Sequence, residues 1–328
     1  MPEKSVTVRE LSSNQADELL TRAGKLLADF GDAAHPALIE QAPAVAAALD
    51  EELRRQCRPP EPEDGLFVLR GLPVADDALG PTPQRWSTPA GPSTAVLEVA
   101  LLLLASALGR VFGWAGQQDG RLVHTIVPSP GHEQEQTGLS SNVLLSPHSE
   151  DAFHPLRAHF LMLGCLRNHD DVATHAACVR RADLDPVDIA TLSEPTVPIL
   201  PDDSYGEAQR FGAPPPSIPT LWHREDGLCL RFDPAYTPLD DAPAEYRAAY
   251  GRLGTALEGA TTAVRLRPGD VLVIDNDTVV HGRAPFRARY DGTDRWLKRI
   301  NIRAAERLRP SGEALEHGYG QQTIDPYR

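Results

Sequence analysis

Residues 265–283 have the sequence RLRPGDVLVIDNDTVVHGR, and this stretch decides the fold. It opens with a Pro-Gly-Asp turn and continues as an entirely apolar run, VLVID. A short apolar run bounded by turn residues predicts a buried β-strand. A polar loop follows the strand and leads to His281, so the pattern places a histidine just beyond a buried strand.

Other short runs of β-branched and apolar residues lie on both sides of this stretch and are separated by Pro, Gly, Asn and Asp. They include RLVHTIVPSPG (121–131), RAHFLMLGCLRN (157–168), GLCLRFD (227–233) and RWLKRINIR (295–303). Many short strands with turn residues between them are typical of a sandwich or barrel. We therefore expect a mainly β fold with flanking helices and a double-stranded β-helix, or jelly-roll, core.

Helical patterns flank the predicted strands. Residues 15–57 predict two helices broken near 31–36, residues 94–112 predict a buried helix, and shorter helices are expected near 183–193 and 241–258. We expect one domain over residues 1–328, with a helical part over about 1–60 and the jelly-roll core over about 63–310. Residues 201–220 contain five prolines and two glycines, and we expect them to form a lid over the site.

Composition narrows the classes of function. The 328 residues carry a net charge of −14, which disfavours nucleic-acid binding. Four dispersed cysteines and the lack of a secretory signal predict a cytoplasmic protein. The longest apolar run, 99–109, is shorter than the ~20 residues needed to span a bilayer, so no membrane association is expected. The oligomeric state is left open.

His148 and Glu150 are candidate metal ligands. They lie two residues apart in SPHSEDAFH (146–154), and residues i and i+2 of a strand face the same side. With His281 they would make a set of two histidines and one carboxylate, as in non-heme Fe(II) oxygenases. Each part alone has a structural alternative: a surface turn for His148 and Glu150, and a hydrogen-bonded histidine at a strand end for His281.

Residues 295–303 predict a strand with two different faces. Trp296, Ile300 and Ile302 alternate onto an apolar face, whereas Arg295 and Arg299 share the other face. A planar guanidinium binds a carboxylate through two hydrogen bonds, so these arginines are candidate ligands for acidic groups. The alternative is a solvated arginine face.

These motifs resemble one known family. They are EDGLFVLRGLPV (63–74), VPSPG (127–131), HSEDAFHPLRAHFLMLGCLRN (148–168), PGDVLVIDN (268–276) and DGTDRWLKRINIR (291–303). The chain resembles the clavaminate synthase-like branch of Fe(II)/2-oxoglutarate-dependent oxygenases, which includes arginine, asparagine and lysine hydroxylases of bacterial natural-product pathways. The His-x-Glu form of the first motif and the arginine fourteen residues after His281 are the most specific features.

The resemblance implies a role for individual residues. Fe(II) would be bound by His148, Glu150 and His281, with 2-oxoglutarate and O2 taking the remaining positions. Arg295 and Thr174 would hold the distal carboxylate of 2-oxoglutarate. The amino-acid substrate would be bound by Arg299, Asp233, Glu150 and Gln117, with Gln118 as the alternative to Gln117.

The expected activity is hydroxylation of an unactivated carbon, C3 in most relatives, of a free and basic L-amino acid in antibiotic biosynthesis. Two departures from the arginine hydroxylases leave the substrate open: Ala235 replaces a second acidic residue, and Gly138 replaces a serine near which Ser140 and Ser141 lie. Desaturation or cyclisation by the same cofactors, a catalytically silent jelly-roll binding protein and, more remotely, a zinc hydrolase are the alternatives.

Overall fold

The computed structural model describes residues 6–89, 91–205, 216–304 and 307–327. Its helices are α1 (Ser13–Phe30), α2 (Pro36–Ala47), α3 (Glu51–Gln56), α4 (Asp76–Leu79), α5 (Pro92–Leu108), α6 (Pro186–Ser193) and α7 (Ala244–Ala260). Its first strands are β1 (Val8–Glu10), β2 (Leu66–Arg70), β3 (Arg110–Trp114), β4 (Val123–Ile126), β5 (Leu145–His148), β6 (Phe160–Arg167) and β7 (Thr174–Cys178). The later strands are β8 (Leu221–Arg224), β9 (Gly227–Leu230), β10 (Thr262–Val264), β11 (Val271–Asp275), β12 (Val279–Arg283), β13 (Trp296–Arg303) and β14 (Thr323–Ile324).

Two sheets form the core. The larger has the order β1-β2-β11-β6-β13-β3-β14, and β4 pairs with the first half of β13 on the same side as β3. The smaller has the order β10-β7-β12-β5, and β8 and β9 form a separate hairpin. The apolar run VLVID is β11, which lies between β2 and β6 and is buried along its whole length.

The two sheets pack face to face through apolar side chains. Leu163 and Leu272 of the larger sheet share one buried cluster with Ala176 and Val279 of the smaller sheet. Alternation along β13 places Leu297 in this cluster and Ile300 in the cluster on the opposite side of the larger sheet. The arginines on the Leu297 side of this strand therefore face the space between the sheets.

The N-terminal helices cover the outer surface of the larger sheet. Helix α5 is buried along most of its length, and α1 and α2 pack on it. Gly164 of β6 permits this close approach, because a Cβ at that position would lie 2.6 Å from Leu101 Cδ1. Among the described residues, no helix is long and apolar enough to cross a membrane.

Three details differ from the sequence-based expectation. Residues 15–57 contain a third helix, because the Asp50 carboxylate accepts hydrogen bonds from the backbone N–H groups of Glu52 and Leu53 and starts α3 there. The predicted helix over 94–112 ends at Leu108, and Arg110 begins a strand. Strand β1 was not predicted; it pairs in parallel with β2.

Only the ends of the expected lid lie within the described residues. Residues 203–205 form a short 3₁₀ turn in which Tyr205 is buried, and Ile218 pairs with Val197 in an isolated bridge. Residues 206–215 lie outside the described part of the chain. A lid over the site stays a prediction.

Candidate active site

The candidate metal ligands converge between the two sheets. His148 and His281 lie directly opposite each other in the antiparallel pair β5–β12, and Glu150 follows two residues after His148. Glu150 Oε2 lies 3.2 Å from His281 Nε2 and 4.0 Å from His148 Nε2. The three ligand atoms lie within 4.8 Å of one another, so the structure brings together the residues that the sequence predicted.

Neighbouring groups orient these ligands. The Nδ1–H of His148 donates to the carbonyl oxygen of Ser146 at 2.8 Å, and the other ring nitrogen, Nε2, is directed at Glu150. The Asn276 side chain accepts from the Glu150 N–H and donates to the Glu150 carbonyl, at 2.8 and 3.0 Å. Hydrogen bonds of this kind fix metal ligands in place, and the donor set of two imidazoles and a carboxylate fits Fe(II).

The Glu150 carboxylate is held in its charged form. Burial raises the pKa of Glu150, but the adjacent Arg299 and His281 outweigh burial, and the pKa lies below its usual range. Arg299 forms an ion pair with Oε1, while Oε2 faces the histidines. One oxygen is therefore available for a metal ion and the other is occupied by an arginine.

Arg295 and Thr174 line the same cavity as the three candidate metal ligands. Arg295 is buried just before β13, and its Nη2 donates to Thr174 Oγ1 at 3.0 Å. No carboxylate of the described residues lies within 4.0 Å of its guanidinium, whose Nε is buried without a hydrogen-bond partner. Burial lowers the pKa of Arg295 to about 10. A buried cation without an anionic partner is unfavourable, so the arrangement suits an anionic ligand.

Arg299 is the centre of a polar network. Its Nη2 donates to Gln117 Oε1 and to His124 Nδ1, both at 2.8 Å, while Nη1 pairs with Glu150. Burial, followed by the charge of Arg299, lowers the pKa of His124 to about 3, so its ring is neutral and Nδ1 accepts. Gln118, the alternative to Gln117, instead bonds the backbone of Thr125.

Asp233 is buried in the loop that follows β9. The backbone carbonyl of the preceding residue, Phe232, accepts from Ser149, which joins this loop to the segment between His148 and Glu150. One Asp233 oxygen accepts from the Ala235 N–H at 3.1 Å, so the side chain also caps its own turn. Burial raises the pKa of Asp233 to about 6; His148 opposes this shift and the Asp202 carboxylate adds to it.

Asp202 was not identified from the sequence, although it lies within the predicted lid. Partial burial raises the pKa of Asp202, and the Glu150 carboxylate adds to this shift while Arg299 opposes it. The charge of Asp202 acts on Asp233, so the two carboxylates lie near each other. A second acidic side chain is therefore present near Asp233, where Ala235 had indicated a single one.

Arg283 is a second residue that was not identified from the sequence. It lines the cavity together with His281 and Arg295, and its guanidinium donates to the carbonyl oxygens of Ser140 and Val143. The Ser140 hydroxyl donates to the Thr137 carbonyl and accepts from Arg283, so its hydrogen bonds are used within the loop. Gly138, which lines the same cavity, leaves space at the position of the serine found in relatives.

Comparison with known proteins agrees with this geometry. The family model described as "Taurine catabolism dioxygenase TauD, TfdA family" matches residues 41–301, which include all three candidate metal ligands. The chain belongs to this family. The cofactor of this protein is Fe(II), and its co-substrates are 2-oxoglutarate and O2, as expected from the sequence.

Amino-acid hydroxylases are among its relatives. The chain is 42% identical to the enduracididine beta-hydroxylase of Streptomyces hygroscopicus, over 77% of this chain and 80% of that protein. It is 36% identical to the L-ornithine/L-arginine 3-hydroxylase of Catenulispora acidiphila, over 83% and 87% of the two chains.

Solved structures confirm the expected jelly roll of a family member. The non-heme iron oxygenase OrfP in complex with Fe, succinate and (3S)-hydroxy-L-Arg has a TM-score of 0.80 and 36% identity, covering 90% of this chain and 94% of that one. An asparagine oxygenase with Fe(II), 3-hydroxyasparagine and succinate has a TM-score of 0.81 and 32% identity, covering 90% and 93%.

Proposed function

We propose that this protein hydroxylates C3 of a free, basic L-amino acid, with Fe(II) and 2-oxoglutarate, in a natural-product pathway. The observation that carries the proposal is the position of Asp233. Its buried carboxylate has no cationic side chain of the described residues within 4.0 Å, and Asp202 adds a second negative charge. Two neighbouring acidic groups, neither in an ion pair with a described residue, favour a substrate with a positively charged end.

The metal would be held by His148, Glu150 and His281. Bound Fe(II) supplies the oxidising chemistry by activating O2 with the electrons released when 2-oxoglutarate is converted to succinate and CO2. Arg295 and Thr174 would bind the distal carboxylate of 2-oxoglutarate, and the missing carboxylate partner of Arg295 supports this role. The protein contributes by orienting both substrates and by excluding water.

The amino acid would lie between two charged regions of the pocket. Arg299, supported by Gln117, would bind the α-carboxylate, and the Glu150 oxygen that now pairs with Arg299 would also accept the α-ammonium group. Asp233 and Asp202 would contact the cationic end of the side chain. Anchoring both ends of the molecule determines which carbon faces the metal, and hence where oxidation occurs.

The relatives support the class of substrate and the position of the reaction. Two of the proteins described above are named as hydroxylases acting at the beta or 3 position, one of them on ornithine and arginine, and the OrfP complexes contain hydroxylated arginine. We propose the same position on a basic amino acid here. A cytoplasmic location is also proposed, and the four free, buried cysteines support it.

The test is a substrate screen. Anaerobically prepared enzyme with Fe(II) and 2-oxoglutarate is exposed to O2 with each proteinogenic amino acid, ornithine or citrulline, and succinate and product mass are measured. We expect succinate formation to be stimulated most by arginine or another basic amino acid, with a product heavier by one oxygen atom. A product lighter by two hydrogen atoms would indicate desaturation or cyclisation, and a lack of succinate with every compound would indicate a silent binding protein.

A further inference from the structure

Residues 202–205 are attached to the active site by two separate sets of hydrogen bonds. In the first, Gln117 Nε2 donates to Ser204 Oγ at 3.2 Å, and the Ser204 backbone N–H donates to Asp202 Oδ1 at 2.8 Å. In the second, the Tyr205 hydroxyl donates to Asp151 Oδ1 at 2.6 Å. Asp202 is thus bonded to Ser204 in a segment that is anchored at Ser204 and at Tyr205.

Asp151 is itself rigidly placed. Its second oxygen accepts from Trp114 Nε1 at 2.7 Å, and both partners are buried. Its φ is +50°, a left-handed conformation that a residue other than glycine adopts only when its surroundings enforce it. Asp151 directly follows Glu150 in the chain, so the Tyr205 hydroxyl is bonded to the backbone segment that carries a candidate metal ligand.

The Tyr205 ring packs against neighbouring aromatic rings. It is buried and meets the Phe153 ring edge to face at a centroid distance of 4.8 Å, and the Trp114 ring at 6.3 Å. The ring provides most of the apolar contact. The hydroxyl provides one directional hydrogen bond between two buried side chains.

We propose that Tyr205 is a positioning residue for substrate selection: its bond to Asp151 holds in place the segment that carries Asp202. This inference rests on the proposed function, because it concerns the recognition of a cationic side chain. Without the bond, residues 202–205 lose one of two attachments, and Asp202 must be ordered again each time that a substrate binds. A neutral side chain gains no charge attraction from Asp202 and should be much less sensitive to this loss.

The test compares Tyr205→Phe with wild type, because this change removes the hydroxyl and keeps the ring. We expect KM for the best basic amino acid to rise about fivefold, the effect of the ~1 kcal/mol that one hydrogen bond contributes, while kcat changes little. The kinetic constants for citrulline, a neutral isostere of arginine, should change much less, because its side chain gains no charge attraction from Asp202. Calorimetric titration of anaerobic enzyme with the basic amino acid should show the same loss as a weaker Kd.

Tyr319→Phe is the matched control. Tyr319 belongs to the same aromatic cluster, and its hydroxyl donates to the Ile199 carbonyl at 2.9 Å, away from Asp151. Its removal should lower stability without altering the preference for the basic substrate. Equal losses for basic and neutral substrates in Tyr205→Phe, or the same change of preference in Tyr319→Phe, would contradict the role of Tyr205.

A double-mutant cycle tests whether Tyr205 acts through Asp202. In an Asp202→Asn background, Tyr205→Phe should no longer change the preference for the basic substrate; a change that persists contradicts the inference. An unaltered preference in the single Tyr205→Phe variant of an enzyme that hydroxylates basic amino acids overturns the inference and leaves the proposed function intact. A wild-type enzyme that accepts no basic amino acid overturns both.

Discussion

The guanidinium of Arg295 donates to the hydroxyl of Thr174 at 3.0 Å, and this pair joins the two sheets at the floor of the active site. Arg295 stands before β13 of the larger sheet, and Thr174 begins β7 of the smaller one. A charged and a neutral donor side by side form a binding site for one carboxylate. The pair is therefore the most direct structural sign of a dicarboxylate co-substrate.

Replacing Arg295 with alanine should weaken 2-oxoglutarate binding selectively. Loss of one partner of a buried, hydrogen-bonded charge pair costs about 2–5 kcal/mol, so KM for 2-oxoglutarate should rise at least about tenfold. KM for the amino acid should change much less. Arg303→Ala, at the far end of the same strand, is the control and should leave both constants near wild type. An unchanged KM for 2-oxoglutarate in Arg295→Ala would remove Arg295 from this role.

His281→Ala should abolish stoichiometric Fe(II) binding and turnover. The substitution removes one of three ligands and leaves Glu150 beside a single histidine. Bound iron is measured after anaerobic desalting, together with succinate formation under limiting Fe(II). His175→Ala is the control, because His175 is the neighbour of Thr174 on β7 and alternation directs it to the other face. Retention of full iron content by His281→Ala would refute the ligand assignment.

Asp233→Asn should reduce activity on basic amino acids and spare citrulline. The amide keeps the size of the side chain and can still accept from the Ala235 N–H, but it lacks the charge that attracts a cation. We expect kcat/KM for the basic substrate to fall about tenfold or more, in keeping with ~1.5–3 kcal/mol for a hydrogen bond to a charged group. The exposed Asp240→Asn is the control. A similar loss on both substrates would show that Asp233 stabilises its loop and does not recognise the charge of the substrate.

Acid should destabilise the protein through a buried ion cluster behind the site. Asp277 Oδ1 lies 2.9 Å from Arg309 Nη2 and 3.3 Å from Arg157 Nη2, and both Asp277 and Arg157 are fully buried. Burial raises the pKa of Asp277, but Arg309 and Arg157 outweigh it, and the pKa lies below its usual range. A depressed pKa stabilises the fold above the unfolded-state value of about 3.9, and this contribution disappears as the pH falls below that value.

Urea unfolding of wild type and Asp277→Asn measures this contribution. At pH 7 the variant should be less stable by about 3–5 kcal/mol, because two buried arginines lose a charged partner. The difference between the two proteins should stay near its pH 7 value down to about pH 4.5 and shrink as the pH falls below about 3.9. The exposed Asp77→Asn should behave as wild type throughout. A difference that already shrinks between pH 7 and about 5 would contradict the assigned protonation behaviour.

The sequence predicted those parts of the site that depend on local periodicity. The alternation along 295–303 places side chains on one face whatever the rest of the fold does, and the structure has this strand. His148 and Glu150 converge as predicted, although β5 ends at His148 and Glu150 lies in the turn that follows. Asp202 and His124 were missed because nothing near them in the sequence marks them. Their relevance arises only in the folded chain, where His124 accepts a hydrogen bond from Arg299 and the charge of Arg299 acts on Asp202.

Lys298, on the apolar face of β13, is a second residue whose environment the sequence could not predict. Alternation places it among core residues, where a lysine is unexpected. The structure explains this burial by two contacts. Glu98 of α5 forms an ion pair with the ammonium group of Lys298, and the Thr125 hydroxyl accepts a hydrogen bond from the same group at 2.7 Å. Such a pairing between a helix and a strand two hundred residues apart leaves no local signal.

The most direct test of the account is the stoichiometry and position of oxidation on the best basic amino acid. Succinate and product are quantified in the same reaction, and the position of the new hydroxyl is determined by NMR. The account predicts one hydroxylated product per succinate, with the hydroxyl on C3 of a basic amino acid. Succinate released without a hydroxylated amino acid, or efficient hydroxylation of aliphatic amino acids alone, would contradict it.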